Sequence, residues 1–189
     1  SYTIPVQYPK AGDMNSAARV GVVAATGGET RWFDVPGDLR DNYIPRMEWA
    51  GSSDAIVIQR MNRLQNTNTV MLGDVNTGSM VPVKTEQDRA WVNTMDDWEF
   101  YDRGLAFIWE SESTGYRHVY RVTRDGGSTR PITFGGWDVI GIDLVDTENG
   151  WLWFRASPAN ATQRYLYRAR LDGSNPAQRI TPEGQPGTH

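Results

Sequence analysis

The chain has 189 residues and a net charge of −4, a length that suits one large all-β unit or two small domains. Its acidic balance argues against a nucleic-acid or anionic-membrane partner, because either would require a basic patch. The lack of cysteine excludes disulfides, thiolate metal sites and cysteine nucleophiles. No apolar run approaches the length of a membrane span and no signal peptide opens the chain, so we expect no membrane partner for this segment.

Four segments of the chain repeat a strand, a polar turn with glycine and a second strand. They are Arg19–Val35, Thr69–Val83, His118–Thr133 and Tyr165–Thr181. Their turn glycines, Gly28, Gly78, Gly126 and Gly173, are separated by 50, 48 and 47 residues. A period of this length is typical of the four-stranded blades of a β-propeller.

A second pair of predicted strands precedes three of these hairpins. The pairs are Ile44–Trp49 with Ala55–Met61, Trp98–Tyr101 with Leu105–Glu110, and Val139–Val145 with Trp151–Arg155. We therefore predict an all-β fold, a β-propeller fragment of about three and a half four-stranded antiparallel blades. The full blades are expected at about 44–85, 97–134 and 138–182, after an incomplete blade at 1–36. Because so few blades cannot close a ring, we interpret the chain as part of a larger propeller.

The alternation within residues 116–122 predicts a half-buried strand, and His118 lies near its start. Ser111, Ser113 and Asp125 are close to this histidine in sequence and could suggest a Ser-His-Asp triad. We do not predict one, because no Gly-x-Ser-x-Gly turn is present to expose a nucleophile. His118 is instead predicted to be structural, packed between the tyrosines two residues before and after it. No catalytic residue is predicted in this chain.

Carboxylates cluster on either side of the predicted strand Leu105–Glu110. The cluster comprises Asp96, Asp97, Glu99, Asp102, Glu110 and Glu112. Paired carboxylates could serve glycoside hydrolysis or bind calcium. Their spacing matches no EF-hand loop, however, and a solvated blade edge is the preferred interpretation. We predict neither a metal site nor a cofactor.

Two groups of arginines could hold a carboxylate or a phosphate in bidentate fashion. They are Arg19, Arg31 and Arg46, and Arg164, Arg168 and Arg170. Surface ion pairs with the 23 acidic residues of the chain are the preferred interpretation.

The segment Asp146–Trp153 weakly resembles the Asp-box of sialidase propellers, but packing of its tryptophans between blades explains it better. Asn160-Ala161-Thr162 has the pattern of a glycosylation sequon.

Three blocks of the chain resemble segments of the dipeptidyl peptidase IV family of serine exopeptidases. The first is Tyr8-Pro9-Lys10-Ala11-Gly12, the second is Glu112–Tyr120 and the third is Ile132–Val139. The blocks occur in the order and at the separations that are usual in this family. On this resemblance the structural signature residues are Tyr8, Pro9, Lys10, Gly12, Gly115, Tyr116, Arg117, His118 and Trp137.

The resemblance implies an intact protein in which an eight-bladed propeller is stacked on an α/β-hydrolase domain. Such a protein removes dipeptides, with proline or alanine second, from peptide N-termini. The resemblance also implies that the catalytic triad and the paired glutamates that anchor the substrate amine lie outside this chain. This chain would wall and gate the substrate cavity. Its expected partners are the peptide substrate, the hydrolase domain and the remaining blades, and a homodimer of the intact protein is compatible with the resemblance.

Arg89-Ala90-Trp91-Val92 resembles the Gly-Trp-Val stretch of the family, so Arg89, Trp91 and Val92 are candidate residues of the substrate cavity. The next residues, 93–96, depart from the continuation that lends an aromatic and a basic residue to the cavity in some members. The lack of cysteine differs from mammalian members, so we expect a bacterial protein that is periplasmic or exported, with its signal segment outside this chain. The alternative is a non-enzymatic β-propeller module that binds a protein partner.

Overall fold

The structure, a computed structural model, describes residues 2–5, 10–96 and 98–187. Within these ranges every regular element is a β-strand, so the described part of the chain offers no helix long and apolar enough to cross a membrane. The strands form one two-stranded sheet and three four-stranded sheets, all antiparallel. The predicted propeller fragment of about three and a half blades is thereby confirmed as the fold.

In each four-stranded sheet the strands lie side by side in chain order, as in an up-and-down meander. Sheet 1 contains β1 (Gly21–Val22) and β2 (Arg31–Trp32). Sheet 2 contains β3 (Asn42–Trp49), β4 (Ala55–Asn62), β5 (Thr67–Asp74) and β6 (Met80–Gln87). Sheet 3 contains β7 (Phe100–Tyr101), β8 (Ala106–Ser111), β9 (His118–Thr123) and β10 (Thr129–Pro131). Sheet 4 contains β11 (Val139–Asp146), β12 (Trp151–Ala156), β13 (Tyr165–Arg170) and β14 (Gln178–Arg179).

The second strand of each full sheet is its most deeply buried one. In β8, Phe107, Ile108 and Trp109 are all buried although they alternate between the two faces of the sheet. Both faces of sheets 2 and 3 are covered because each of these sheets packs against a neighbouring sheet on either side, as blades do. Burial of one such side chain contributes roughly 1.5–3 kcal/mol, so the contacts between blades dominate the stability of the fold.

The same two-sided packing changes the prediction for β9, which was expected to be buried on one face. His118 and Val119 are both buried although they point to opposite faces of the strand. Tyr116 precedes the strand and is 42% exposed. The prediction that His118 packs between two tyrosines was therefore wrong. The expected alternation of buried and exposed side chains fails at the start of the strand, because neither His118 nor Val119 faces solvent.

Two hydrophobic clusters connect the sheets. The larger cluster joins sheets 2, 3 and 4 and includes Val57, Phe107 and Phe154. The smaller one joins sheets 1 and 2 through Phe33 and Ile58 among others. Each sheet is thus packed against the next one through buried apolar side chains. The larger cluster also includes Met95, from the segment that connects sheet 2 to sheet 3.

Candidate functional site

The candidate cavity residues lie in the segment 88–99, which connects β6 of sheet 2 to β7 of sheet 3. Trp91 is 65% exposed, and Arg89 beside it is also exposed. Two main-chain bonds attach the segment to the turn between β4 and β5: the Asp88 amide donates to the Asn66 carbonyl at 3.1 Å, and the Val92 amide donates to the Gln65 carbonyl at 2.8 Å. Within the segment, the Ala90 amide donates to Asp88 Oδ1 at 2.7 Å. An ordered backbone therefore presents an exposed indole and an exposed guanidinium at the end of the blade.

A buried amide cluster holds the other half of this segment. The side chain of Gln59 in β4 is fully buried, and its Oε1 accepts the Met95 amide at 3.0 Å. Its Nε2 donates back to the Met95 carbonyl. Asn68 in β5 donates to the same Gln59 Oε1 at 2.8 Å. Since unpaired buried polar groups are costly, this cluster fixes the connecting segment to the middle of sheet 2.

This cluster was not predicted from the sequence. The available signal was Gln59 itself, a polar residue directly after the apolar run 55–58 of a strand that is buried on both faces. A buried polar side chain requires a partner, but the sequence does not reveal that the partner is Met95, 36 residues later.

His118 is part of a closed hydrogen-bond arrangement. The Val119 amide donates to Thr133 Oγ1 at 2.9 Å, and the Thr133 hydroxyl lies 3.2 Å from His118 Nδ1. His118 Nε2 lies 2.9 Å from the Gly135 carbonyl oxygen. A carbonyl can only accept, so Nε2 carries the proton and the Thr133 hydroxyl donates to Nδ1. Both ring nitrogens are therefore occupied by contacts within the fold.

The geometry also excludes the residues that could have suggested a triad. Ser111 lies opposite His118 in the ladder of β8 and β9, but its hydroxyl donates to Ser113 Oγ at 2.9 Å. Asp125 lies in the turn beyond the far end of β9, and the strand alone separates that end from His118 by about 16 Å at 3.3 Å per residue. Its carboxylate accepts the Thr123 hydroxyl at 2.6 Å. The three groups therefore cannot pass a proton among themselves.

The signature residues of the Glu112–Tyr120 block stabilise the loop between β8 and β9. Gly115 has a φ of 91°, which favours glycine. The guanidinium of Arg117 donates to Glu112 Oε1 at 3.0 and 3.1 Å, and its amide donates to Asp138 Oδ1 at 2.7 Å. These contacts join the loop to the segment that enters sheet 4.

Trp137 contacts His118, another signature residue, and Phe154 of sheet 4. Its ring meets the His118 ring edge-on, with centroids 5.2 Å apart, and stacks on Phe154 at 5.9 Å.

In the first block, the Lys10 amide donates to Asp13 Oδ2 at 2.8 Å, and Gly12 has a φ of 92°. Tyr8 and Pro9 fall outside the described residues.

The acidic residues do not gather into a metal site. Three of them pair with arginines: Asp96 with Arg46, Asp102 with Arg121, and Glu112 with Arg117. Asp97 falls outside the described residues. Among the residues that the structure describes, no group of three or more potential metal ligands is found.

Only some of the arginines form the predicted ion pairs. Arg19, Arg168 and Arg170 stack on tryptophan rings instead.

Five aspartates in turns between strands have lowered pKa values. In Asp125 the cause is chiefly the hydrogen bond from the Thr123 hydroxyl, and in Asp172 the one from the Ser174 hydroxyl. Amide and hydroxyl donors act in the same way on the pKa values of the other three, Asp54, Asp74 and Asp146. These carboxylates close their own turns, so their pKa values reflect turn structure and indicate no catalytic acid.

Comparison with known proteins gives a consistent result. Residues 2–188 match the protein family described as "Dipeptidyl peptidase IV (DPP IV) N-terminal region". A dipeptidyl-aminopeptidase B of Aspergillus oryzae is 30% identical over 197 aligned residues, which cover 96% of this chain and 22% of the fungal protein. The dipeptidyl peptidase 4 of Arthroderma otae is 24% identical, over 89% of this chain and 23% of that protein.

A solved structure extends the likeness to three dimensions. The crystal structure of Porphyromonas gingivalis dipeptidyl peptidase 4 matches 96% of this chain with a TM-score of 0.82 and 25% sequence identity. The match covers 25% of the length of that protein. The chain therefore spans about a quarter of the length of the relatives it matches.

Proposed function

This chain belongs to the family of dipeptidyl peptidase IV N-terminal regions, and on that basis we propose that it is the non-catalytic propeller portion of a serine exopeptidase. The intact enzyme would release N-terminal dipeptides with proline or alanine in the second position. The observation that carries the proposal is the family match over residues 2–188. The partners would be the peptide substrate, an α/β-hydrolase domain and further blades, in a periplasmic or exported bacterial protein that can form a homodimer.

The described residues support a role in which this portion supplies walls and leaves the chemistry to another domain. Amide hydrolysis requires a nucleophile, a base and oxyanion donors in one place. His118, the histidine within the described residues, has both ring nitrogens occupied by Thr133 and Gly135. The rigid stack of sheets would instead enclose a space that admits an extended peptide end and excludes folded proteins.

Within that wall, Arg89, Trp91 and Val92 would face the substrate. The exposed indole of Trp91 offers an apolar face for a proline or alanine side chain, and the Arg89 guanidinium could contact peptide carbonyls. The bonds from Gln59 to Met95 would hold the segment in position against the motion of a peptide entering the cavity. Binding energy at these residues would then appear mainly in KM.

The proposal is tested by assaying the 189-residue chain and the protein from the whole reading frame side by side on Xaa-Pro and Xaa-Ala chromogenic amides. We expect hydrolysis by the whole protein and none by the chain alone. Hydrolysis by the chain alone would contradict the division of labour. A whole protein that hydrolyses neither amide would favour the non-enzymatic binding module.

A further inference from the structure

A cavity of about 440 Å³ lies between sheets 3 and 4, at the end of the blades where the hairpin turns are. From sheet 3 it is lined by Tyr101, Arg121 and Arg130, and from sheet 4 by Arg170 at the end of β13 and Asp172 in the turn that follows. It is separate from the segment 88–99, which leaves the opposite end of the hairpin β5–β6 from its turn. The function proposed above makes no use of it.

Two of the arginines face each other across neighbouring strands. Arg121 in β9 and Arg130 in β10 are directly opposite in the ladder, so their side chains emerge on the same face. Arg121 is paired with Asp102 at 3.0 Å. Arg130 is exposed and has no ion-pair partner among the described residues. Like charges directly opposite each other destabilise a sheet unless they are neutralised.

The third arginine approaches from sheet 4. Arg170 donates to the Asn149 carbonyl at 2.9 Å, and its guanidinium lies 4.7 Å from the Trp151 ring centroid. The aspartates lining the cavity are Asp102 and Asp172. Three guanidinium groups against two carboxylates leave one positive charge without compensation, and the unpaired Arg130 is the residue that carries it.

The turn that supplies Asp102 is held in an unusual conformation. Asp102 and Arg103 have φ values of 52° and 56°, in the left-handed region that is unfavourable for residues other than glycine, and Gly104 follows at 79°. Such strain persists where the surrounding structure fixes it, often at binding sites. In this turn it places the Asp102 carboxylate against Arg121, at the rim of the cavity.

We propose that this cavity binds a small monocarboxylate whose apolar part lies against Tyr101 and Leu171. A single negative charge matches the uncompensated positive charge of the cavity. The planar carboxylate suits the fork of the Arg130 guanidinium, which is free to make two parallel hydrogen bonds. Tyr101 and Leu171 line the same cavity and are its apolar residues. The volume accommodates an acid of the size of an acylated amino acid.

The test is isothermal titration of the whole protein with N-acetylphenylalanine, and in parallel with its neutral amide and with inorganic phosphate. We expect saturable binding of the acid that weakens as salt is added, and at least about tenfold weaker binding of both the amide and phosphate. Equal binding of the amide would overturn the proposal, and so would tighter binding of phosphate. The absence of saturable binding of the acid up to about 10 mM would also overturn it.

Three variants locate the site. Arg130→Ala should weaken binding of the acid about tenfold or more, because a charge-assisted contact is lost. Asp102→Asn should tighten it by about threefold, because a competing carboxylate is removed and asparagine tolerates a positive φ. Arg63→Ala changes an exposed arginine in the turn after β4, outside the cavity, and should leave binding unchanged. Unchanged affinity in Arg130→Ala would overturn the proposal even if the acid binds elsewhere.

Discussion

A Cβ atom on Gly126 would lie 2.2 Å from the main-chain oxygen of Val83 in the preceding sheet. The turn of sheet 3 therefore touches the outermost strand of sheet 2 backbone to backbone. The same relationship recurs at Gly173 with the Pro131 oxygen, at 2.5 Å, and at Gly78 with the Trp32 oxygen, at 2.7 Å. All three glycines also have positive φ values. Glycine at this turn thus serves the hairpin and the packing of blade on blade.

Substitution of Gly126 by alanine should strongly destabilise the fold. A left-handed alanine costs about 1–2 kcal/mol, and the clash with Val83 adds about 1–3 kcal/mol of overpacking. We expect Gly126→Ala to lose roughly 2–5 kcal/mol in the free energy of unfolding, measured by denaturant titration. Gly115→Ala is the matched control, because Gly115 has a φ of 91° but nothing within 4 Å of an added Cβ. It should lose only about 1–2 kcal/mol, and equal losses in the two variants would show that blade contact is unimportant.

The Thr133 hydroxyl should stabilise the blade by joining His118 to the Val119 amide. Thr133→Val keeps the shape of the side chain but leaves a buried imidazole nitrogen and a buried amide without partners. We expect a loss of about 1–3 kcal/mol in the free energy of unfolding. Thr129→Val, at an exposed position in β10, should change it by less than about 0.5 kcal/mol. A loss at Thr133 no larger than at Thr129 would argue against the arrangement described for His118.

Gln59 should support both stability and substrate binding. Gln59→Leu leaves the Met95 amide and carbonyl unpaired in a buried site, so the free energy of unfolding should fall by about 2–5 kcal/mol. If segment 88–99 faces the substrate, KM of the whole enzyme for Xaa-Pro amides should rise while kcat stays near its original value. Gln87→Leu, exposed at the end of β6, is the control and should change neither quantity. A fall in kcat with constant KM would contradict the proposed role of this segment.

Acid should weaken the fold through its turn aspartates. Hydrogen bonds hold the folded-state pKa of Asp125 below its ordinary value of 3.8, so the unfolded chain binds more protons between the two pKa values. The stabilisation is complete above pH 3.8 and is lost as the pH falls through the lower, folded-state pKa. In Asp125→Asn the Tm should be below that of the original protein at about pH 6, and the difference should shrink in the acid range. A difference that is constant with pH would refute this explanation.

The repeat was predictable from sequence because its markers are local. Glycine is favoured in the tight turn between two strands, so the turns can be located from residue type alone. The spacing of 47 to 50 residues between such turns is set by the four strands of a blade. The contact of Gly126 with Val83 was not predictable, because it joins residues 43 positions apart, the difference between their numbers. Local turn preference determines the position of Gly126, whereas only the stacking of blades brings the Val83 carbonyl close to it.

The candidate site was likewise predictable from the sequence only in part. The structural role of His118 followed from the lack of a nucleophile turn, but its partners Thr133 and Gly135 belong to the segment after β10 and could not be read from the strand. Of the three cavity arginines, only Arg170 was singled out from the sequence, and it was interpreted as a member of a surface ion pair. A sequence does not show which side chains two neighbouring sheets bring together. Arg121 and Arg130 become neighbours only through the register of β9 and β10.

The central claim is that the chain belongs to a serine exopeptidase whose nucleophile lies outside residues 1–189. The most direct measurement is to label the whole protein with a fluorophosphonate, which reacts with activated serines, and to locate the adduct by mass spectrometry. We predict one modified serine, outside residues 1–189, with parallel loss of Xaa-Pro hydrolysis. An adduct on Ser111, on Ser113 or on any other serine of this chain would contradict the claim. Full Xaa-Pro hydrolysis after treatment with the fluorophosphonate, with no serine labelled, would also contradict it.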